Sequence, residues 1–186
     1  LKVVAAAYDQ GRQVATASAG VGERICLRLT KPRLWSSDSP HLYDLEVTLA
    51  GADGKAIDKV SSYFGMRKIE VRKDDRGVAR LMLNGRFVFQ VGPLDQGFWP
   101  DGLYTAPTDE ALRYDIEMIK KLGFNMVRKH VKIEPDRWYY WCDRLGLLVW
   151  QDMPNGRNNT PQARKQFEQE LRRLIEGRGN HPCIIM

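Results

Sequence analysis

Between Asn84 and Pro154, three apolar runs each end in side chains able to do chemistry. Asp95 and Gln96 follow Phe87-Val88-Phe89-Gln90-Val91-Gly92. Arg128 and His130 close Phe124-Asn125-Met126-Val127-Arg128, and Gln151 and Asp152 close Leu147-Leu148-Val149-Trp150-Gln151. Carboxylates accept hydrogen bonds, amides and imidazoles donate and accept, and a guanidinium holds a carboxylate ionised and oriented. Trp99, in the loop after the first run, offers an aromatic face. Set together, such groups bind and orient a polar ligand.

The runs are separated by amphipathic helices, and near-continuous apolar strands alternating with helices predict a parallel sheet covered by helices. Ligands meet such sheets at the carboxyl ends of their strands, which places Asp95, Arg128 and Asp152 around one expected pocket. The first helix has Thr108 as N-cap, Asp109 and Glu110 in its first turn, Lys120 and Lys121 in its last and Gly123 as terminator. The second starts at Pro135, carries Trp138, Trp141, Cys142 and Leu145 on one stripe, and stops at Gly146. Cys142 is thereby a packing residue and not a nucleophile. A third helix starts at Thr160-Pro161 and reaches Gly177 or Gly179, and Cys183-Ile184-Ile185-Met186 opens a fourth strand.

Residues 1–72 read as strands alone, over 3–8, 13–17, 25–29, 43–49 and 59–64, with turns such as Asp9-Gln10-Gly11 between them. This spacing predicts an antiparallel sandwich, incomplete at its N-terminal side, with Trp35 and Tyr43 covering one end of its core. Lys73-Asp74-Asp75-Arg76-Gly77 reads as a charged, flexible joint, which divides the chain into domains at 1–72 and 73–186. Beyond it, Asn84-Gly85 is a strong hairpin signal. The expected fold is therefore multidomain, β followed by α/β.

Composition narrows the function classes. Hydrophobic residues make up 43% and aromatics 10% of the 186 residues, enough for a globular core. The net charge of +6 comes from scattered Lys and Arg, without the basic stripe that nucleic acid requires. No apolar run reaches the length of a membrane span, and the first residues lack the pattern of a signal peptide. The compartment stays open, a periplasmic or secreted site among the alternatives. Cys26, Cys142 and Cys183 show neither zinc-site nor disulfide-framework spacing. No metal or cofactor is expected.

Several motifs, in order, resemble glycoside hydrolase family 2, the family of β-galactosidases, β-glucuronidases and β-mannosidases. They are Leu34-Trp35-Ser36 with Pro40-His41-Leu42-Tyr43, Phe64-Gly65-Met66-Arg67, Leu83-Asn84-Gly85, Gly123-Phe124-Asn125-Met126-Val127-Arg128, Trp138-Tyr139 with Cys142-Asp143, Gly146-Leu147 and Asn180-His181-Pro182. The resemblance covers nearly the whole chain. It implies a partial immunoglobulin-like sandwich followed by the first half of a (β/α)8 TIM barrel. It also implies a retaining β-glycosidase whose acid/base and nucleophile Glu lie beyond Met186, so that the 186 residues alone are inactive and depend on the remaining half of the barrel or a second copy. A non-catalytic carbohydrate-binding or assembly module on the same scaffold is the alternative.

On this resemblance the partner is a carbohydrate. Asp95 then contacts substrate or caps its loop, and Trp99 is a sugar platform or a lid. Arg128 matches the family's Arg at the second strand end. The His that relatives often carry three residues later is replaced by Val131, leaving His130 as a site residue or a satisfied strand-end histidine. Gln151 and Asp152 stand where relatives carry acidic pairs, and an acid there binds a sugar hydroxyl or orients Arg128. The loop from Pro93 to Tyr104 departs from the His-containing loop of the well-known β-galactosidases.

Overall fold

The computed structural model describes residues Leu1–Met186, which divide into two compact units. The first comprises residues 1–34 and 41–66, the second residues 35–40 and 67–186. The chain is rich in β-structure, with three longer helices confined to its second half.

The first unit is one antiparallel sheet of β1 (Lys2–Asp9), β2 (Arg12–Gly20), β3 (Tyr43–Ala50) and β4 (Ala56–Phe64), in the order β2-β1-β3-β4. Gln10 and Gly11 join β1 to β2 with φ of 51° and 80°, the left-handed pair that matches the twist of a two-residue hairpin. In central β1 the small residues Ala5, Ala6 and Ala7 are buried. Tyr43 is also buried, its ring stacked on Phe64 and met edge-on by His41.

Residues 25–29, expected as a strand, form none. Ile25, Leu27 and Leu29 do alternate half-buried with exposed neighbours, so the period reports a one-sided packing face. A strand further requires ladder partners, and these residues pair with no strand.

In the second unit, β5 (Ile69–Lys73), β6 (Ala79–Leu83) and β7 (Arg86–Phe87) form an antiparallel sheet. The expected flexible joint is instead the tight turn between β5 and β6. Asp74 accepts a 2.9 Å bond from Arg80 Nε and backbone N–H bonds from Val78 and Arg76, which together, Arg80 first, hold its carboxyl below the usual carboxylate range. Asn84 and Gly85, at φ 53° and 77°, make the hairpin between β6 and β7.

Trp35, expected to cover the core of the strand-only part, belongs to this second unit, where its indole finds a buried acceptor. It is fully buried and donates from Nε1 to the Asp143 carbonyl at 2.8 Å. Ser37 Oγ donates to the Gly146 carbonyl, and Lys120 Nζ reaches both the Ser37 and Gly146 carbonyls.

The parallel part runs β8 (Leu94–Asp95), α1 (Asp109–Lys121), β9 (Met126–Lys129), α2 (Asp136–Leu145), β10 (Leu148–Gln151) and α3 (Pro161–Arg178), with sheet order β8-β9-β10. Thr108 and Thr160 cap α1 and α3 by accepting from Ala111 N and Ala163 N, and Gly146 ends α2 at φ 74°. The first parallel strand lies later than the apolar run suggests. Phe87 ends the hairpin, Phe89 is 72% exposed, and only Leu94 and Asp95 pair with β9. The shift has a backbone cause: Gly92 passes so close to β9 that any Cβ would overlap the Met126 carbonyl.

After α3 the chain runs beside β10, with Val149 N donating to Cys183 O, Ile185 N to Val149 O and Gln151 N to Met186 O. Asp143, wholly buried, anchors this segment by accepting from Cys183 N at 2.9 Å and lying 2.6 Å from His181 Nδ1. No helix is long and apolar enough to cross a membrane.

Candidate functional site at the ends of the parallel strands

Register decides which side chains meet. Leu94 pairs with Arg128 and Arg128 with Trp150, while Asp95 pairs with Lys129 and Lys129 with Gln151. Side chains alternate across a strand, so the two rows lie on opposite faces of the sheet. Asp95, Arg128 and Asp152 therefore share one end of the sheet without sharing one pocket.

On one face Arg128 binds Asp152. Its Nε lies 3.1 and 3.2 Å from the two carboxylate oxygens and its Nη2 lies 2.9 Å from Oδ2. These bonds and the carboxylate charge raise the guanidinium pKa further. The pair is open to solvent, with Arg128 46% and Asp152 22% exposed, so it is a presented charge pair and not a buried lock. On the same row, Leu94 is exposed, and Trp150 donates from Nε1 to Gln90 Oε1.

On the other face lies a buried chain of alternating charges. Lys129, 1% exposed, binds Asp95 Oδ2 and, at 2.9 Å, Glu134 Oε1, and its ammonium sits 4.3 Å from the centre of the Trp138 ring. Glu134, 2% exposed, also takes Lys132 Nζ at 3.1 Å. Asp95 is both a charge partner and a loop cap, since its Oδ1 accepts from Gly97 N at 2.7 Å. Gln151 is committed to structure: its Oε1 accepts from Tyr139 OH, and its Nε2 donates to the Lys132 and Asp152 carbonyls. Burial pushes the Tyr139 hydroxyl pKa far up, which keeps it a donor.

Gln96 Nε2 and His130 Nδ1 lie 2.9 Å apart at the exposed end of the strands. Trp99 is half-buried, and its backbone exchanges hydrogen bonds with Leu103. Lys129, Lys132 and Glu134 belong to this site although the apolar runs do not single them out. Strand period 2 could have found Lys129: if Arg128 faces outward, its neighbour faces the helices and needs a carboxylate.

Cys142 and Cys183 are buried free thiols whose burial pushes their pKa values up, Cys183 well above the ordinary value, which suits packing and not nucleophilic attack. No group of three His, Cys, Asp or Glu side chains converges as metal ligands.

Residues 2–67 match the family described as Glycosyl hydrolases family 2. Over 167 residues the chain is 30% identical to the beta-galactosidase of Lactococcus lactis subsp. lactis (strain IL1403), a match that covers 85% of this chain and 16% of that protein. Against the beta-galactosidase of Vibrio cholerae serotype O1 it is 31% identical over 169 residues, covering 86% of this chain and 16% of the relative. In three dimensions it resembles the β-glucuronidase from Ruminococcus gnavus with a TM-score of 0.87 and 22% identity, over 99% of this chain and 31% of that one, a likeness of fold alone. The chain thus spans about a sixth of the length of these curated relatives, and it is similar to glycoside hydrolase family 2 proteins in its residues 2–67 and in its fold.

Proposed function

We propose that this chain is part of a retaining β-glycosidase that hydrolyses terminal O-glycosidic bonds of carbohydrates. In this reading it supplies a partial immunoglobulin-like sandwich, residues 1–72, and the first half of a (β/α)8 barrel, residues 73–186. The Arg128–Asp152 pair carries the reading. It stands solvent-open at the carboxyl ends of two adjacent parallel strands, where a barrel of this kind gathers its substrate.

A retaining mechanism needs two carboxyl groups about 5 to 5.5 Å apart, one attacking the anomeric carbon and one protonating the leaving oxygen. The proposal assigns both to Glu residues beyond Met186. Within the chain, Arg128 and Asp152 act as sugar-orienting groups: the ion pair fixes the carboxylate, whose outer lone pairs accept from hydroxyls. Gln96 and His130 form an adjacent exposed pair able to do the same.

The test is turnover of aryl β-glycosides by the full-length protein and by the 186-residue chain. Release of the aryl group by the full-length protein alone is the expected result. Turnover by the isolated chain would overturn the assignment of the carboxylates, and a full-length protein that binds sugars without turnover would favour a non-catalytic module.

A further inference from the structure

We infer that Lys132 is the positioning residue of a preset carbohydrate platform formed by Phe98 and Tyr104, an inference that rests on the carbohydrate reading above. The backbone supplies the first reason. Val131 has φ 46°, a left-handed conformation that is a genuine outlier for a β-branched residue and persists only where the surroundings over-determine it. That turn, two residues beyond β9, lets Lys132 join Lys129 at the same carboxylate oxygen, Glu134 Oε1.

The second reason is where the Lys132 ammonium goes. An ammonium has three protons. Here Nζ lies 2.7 Å from the Gly97 carbonyl, 2.9 Å from the Tyr104 carbonyl and 3.1 Å from Glu134 Oε1, in a side chain 9% exposed. Gly97 and Tyr104 are the two ends of one loop, so a single buried cation staples its base. The loop is closed above that staple by Trp99 N donating to Leu103 O at 2.7 Å and Leu103 N to Trp99 O at 3.0 Å. Gly97, at φ 64°, leaves no room for a side chain, since a Cβ would stand 2.7 Å from Lys132 Nζ.

What the staple holds up is aromatic. Phe98 is 60% and Tyr104 58% exposed, with ring centroids 4.8 Å apart and planes tilted by 40°. A loop that uses a buried ammonium and a left-handed Leu103 (φ 55°) to hold two rings in water forgoes the burial those rings would otherwise gain. Rigid, exposed aromatic faces suit the apolar C–H face of a pyranose ring, because little ordering entropy remains to be lost on binding. The exposed Gln96, at the loop's base, adds an amide for hydroxyls.

The experiment uses the full-length protein with Lys132→Met, Lys132→Arg and Phe98→Ala, probed with methyl β-galactoside and methyl β-glucuronide. Chymotrypsin, which cuts after large apolar and aromatic residues, reads the loop directly. Lys132→Met should be cut within residues 98–104 about tenfold faster, reflecting a more populated open form, with Lys132→Arg near the parent. At least one probe should shift the NMR signals of the Phe98 and Tyr104 rings, with Kd raised about tenfold in Lys132→Met and Phe98→Ala. For an aryl glycoside, KM should rise in both variants while kcat stays within about twofold, the pattern of lost uniform binding.

Unchanged protease protection in Lys132→Met, or ring signals that neither probe moves, would overturn the inference. If Lys132→Met does not fold, Phe98→Ala carries the binding arm, since its exposed ring leaves the core intact, and Lys132→Arg carries the loop arm. A protein inactive on every aryl glycoside whose rings still bind a probe would overturn the glycosidase reading and support this one.

Discussion

Arg128 and Lys129 are neighbours in sequence that face opposite sides of the parallel sheet. Arg128 meets Asp152 in the open, and Lys129 is buried between Asp95 and Glu134. One strand end thus serves two purposes: a presented charge pair on one face and a sealed ionic network on the other. The two should respond differently to mutation.

The sealed network should be sensitive to its centre. Glu134 pairs with both Lys129 and Lys132. Glu134→Gln would leave two buried ammonium groups facing an uncharged amide, and breaking a buried ion pair from one side costs about 3 to 5 kcal/mol. Urea denaturation of the variant should show a lower midpoint with an unchanged slope.

Asp152→Asn addresses the open pair. Arg128 would keep an acceptor but lose its charge partner, so sugar orientation should loosen with little change in fold. In the full-length enzyme kcat/KM should fall roughly tenfold, equivalent to about 1.4 kcal/mol of transition-state stabilisation, with the melting temperature nearly unchanged.

The three helices and their limits were legible because caps act locally: Thr108, Gly123, Gly146 and Thr160-Pro161 punctuate the chain whatever surrounds them. Strand pairing was less so. Alternation at Ile25, Leu27 and Leu29 tells which side is packed but not whether the residues find a ladder partner. Asp95, Arg128 and Gln151 stand at strand ends, but their faces depend on a register that the apolar runs do not carry: pairing with β9 begins at Leu94, beyond the run that ends at Gly92. Lys129, Lys132 and Glu134 were missed since charged residues after a strand read as solvated until a register shows one of them turned inward.

Gly146 should tolerate no side chain. It holds φ 74° at the end of α2, and a Cβ would stand 2.5 Å from the Ser37 carbonyl. Gly146→Ala combines left-handed strain with a backbone clash against the segment that carries Trp35. A loss of more than about 1 kcal/mol is expected by thermal or urea unfolding, beyond what strain alone imposes.

Acid should release a clasp between α1 and α2. Asp109 accepts from Arg137 Nε and Nη2 and from Trp141 Nε1, and these bonds, Arg137 first, hold its carboxyl below the usual carboxylate range. A depressed native pKa contributes stability that is present above the unfolded value of about 3.9 and lost as pH falls through the native one. Asp109→Asn should therefore flatten the acid limb of the stability profile and leave its alkaline side unchanged, as measured by melting temperature against pH.

The last prediction concerns association. Phe89, Val91 and Leu94 are 72, 42 and 54% exposed, and all lie in the stretch that leads into β8. Fully burying one large apolar side chain contributes about 1.5 to 3 kcal/mol, so covering this surface contributes a sizeable fraction of the stability of a whole domain. Large apolar side chains exposed this close together in sequence point to an interaction surface. The expectation is that the purified 186-residue chain associates with itself, and that in the full-length protein further polypeptide covers the patch. Sedimentation velocity across a dilution series should show the average mass falling toward 21.4 kDa only at the lowest concentrations. A monomer that persists at high concentration, with cooperative unfolding, would show that these side chains need no cover and that the half-barrel reading is wrong.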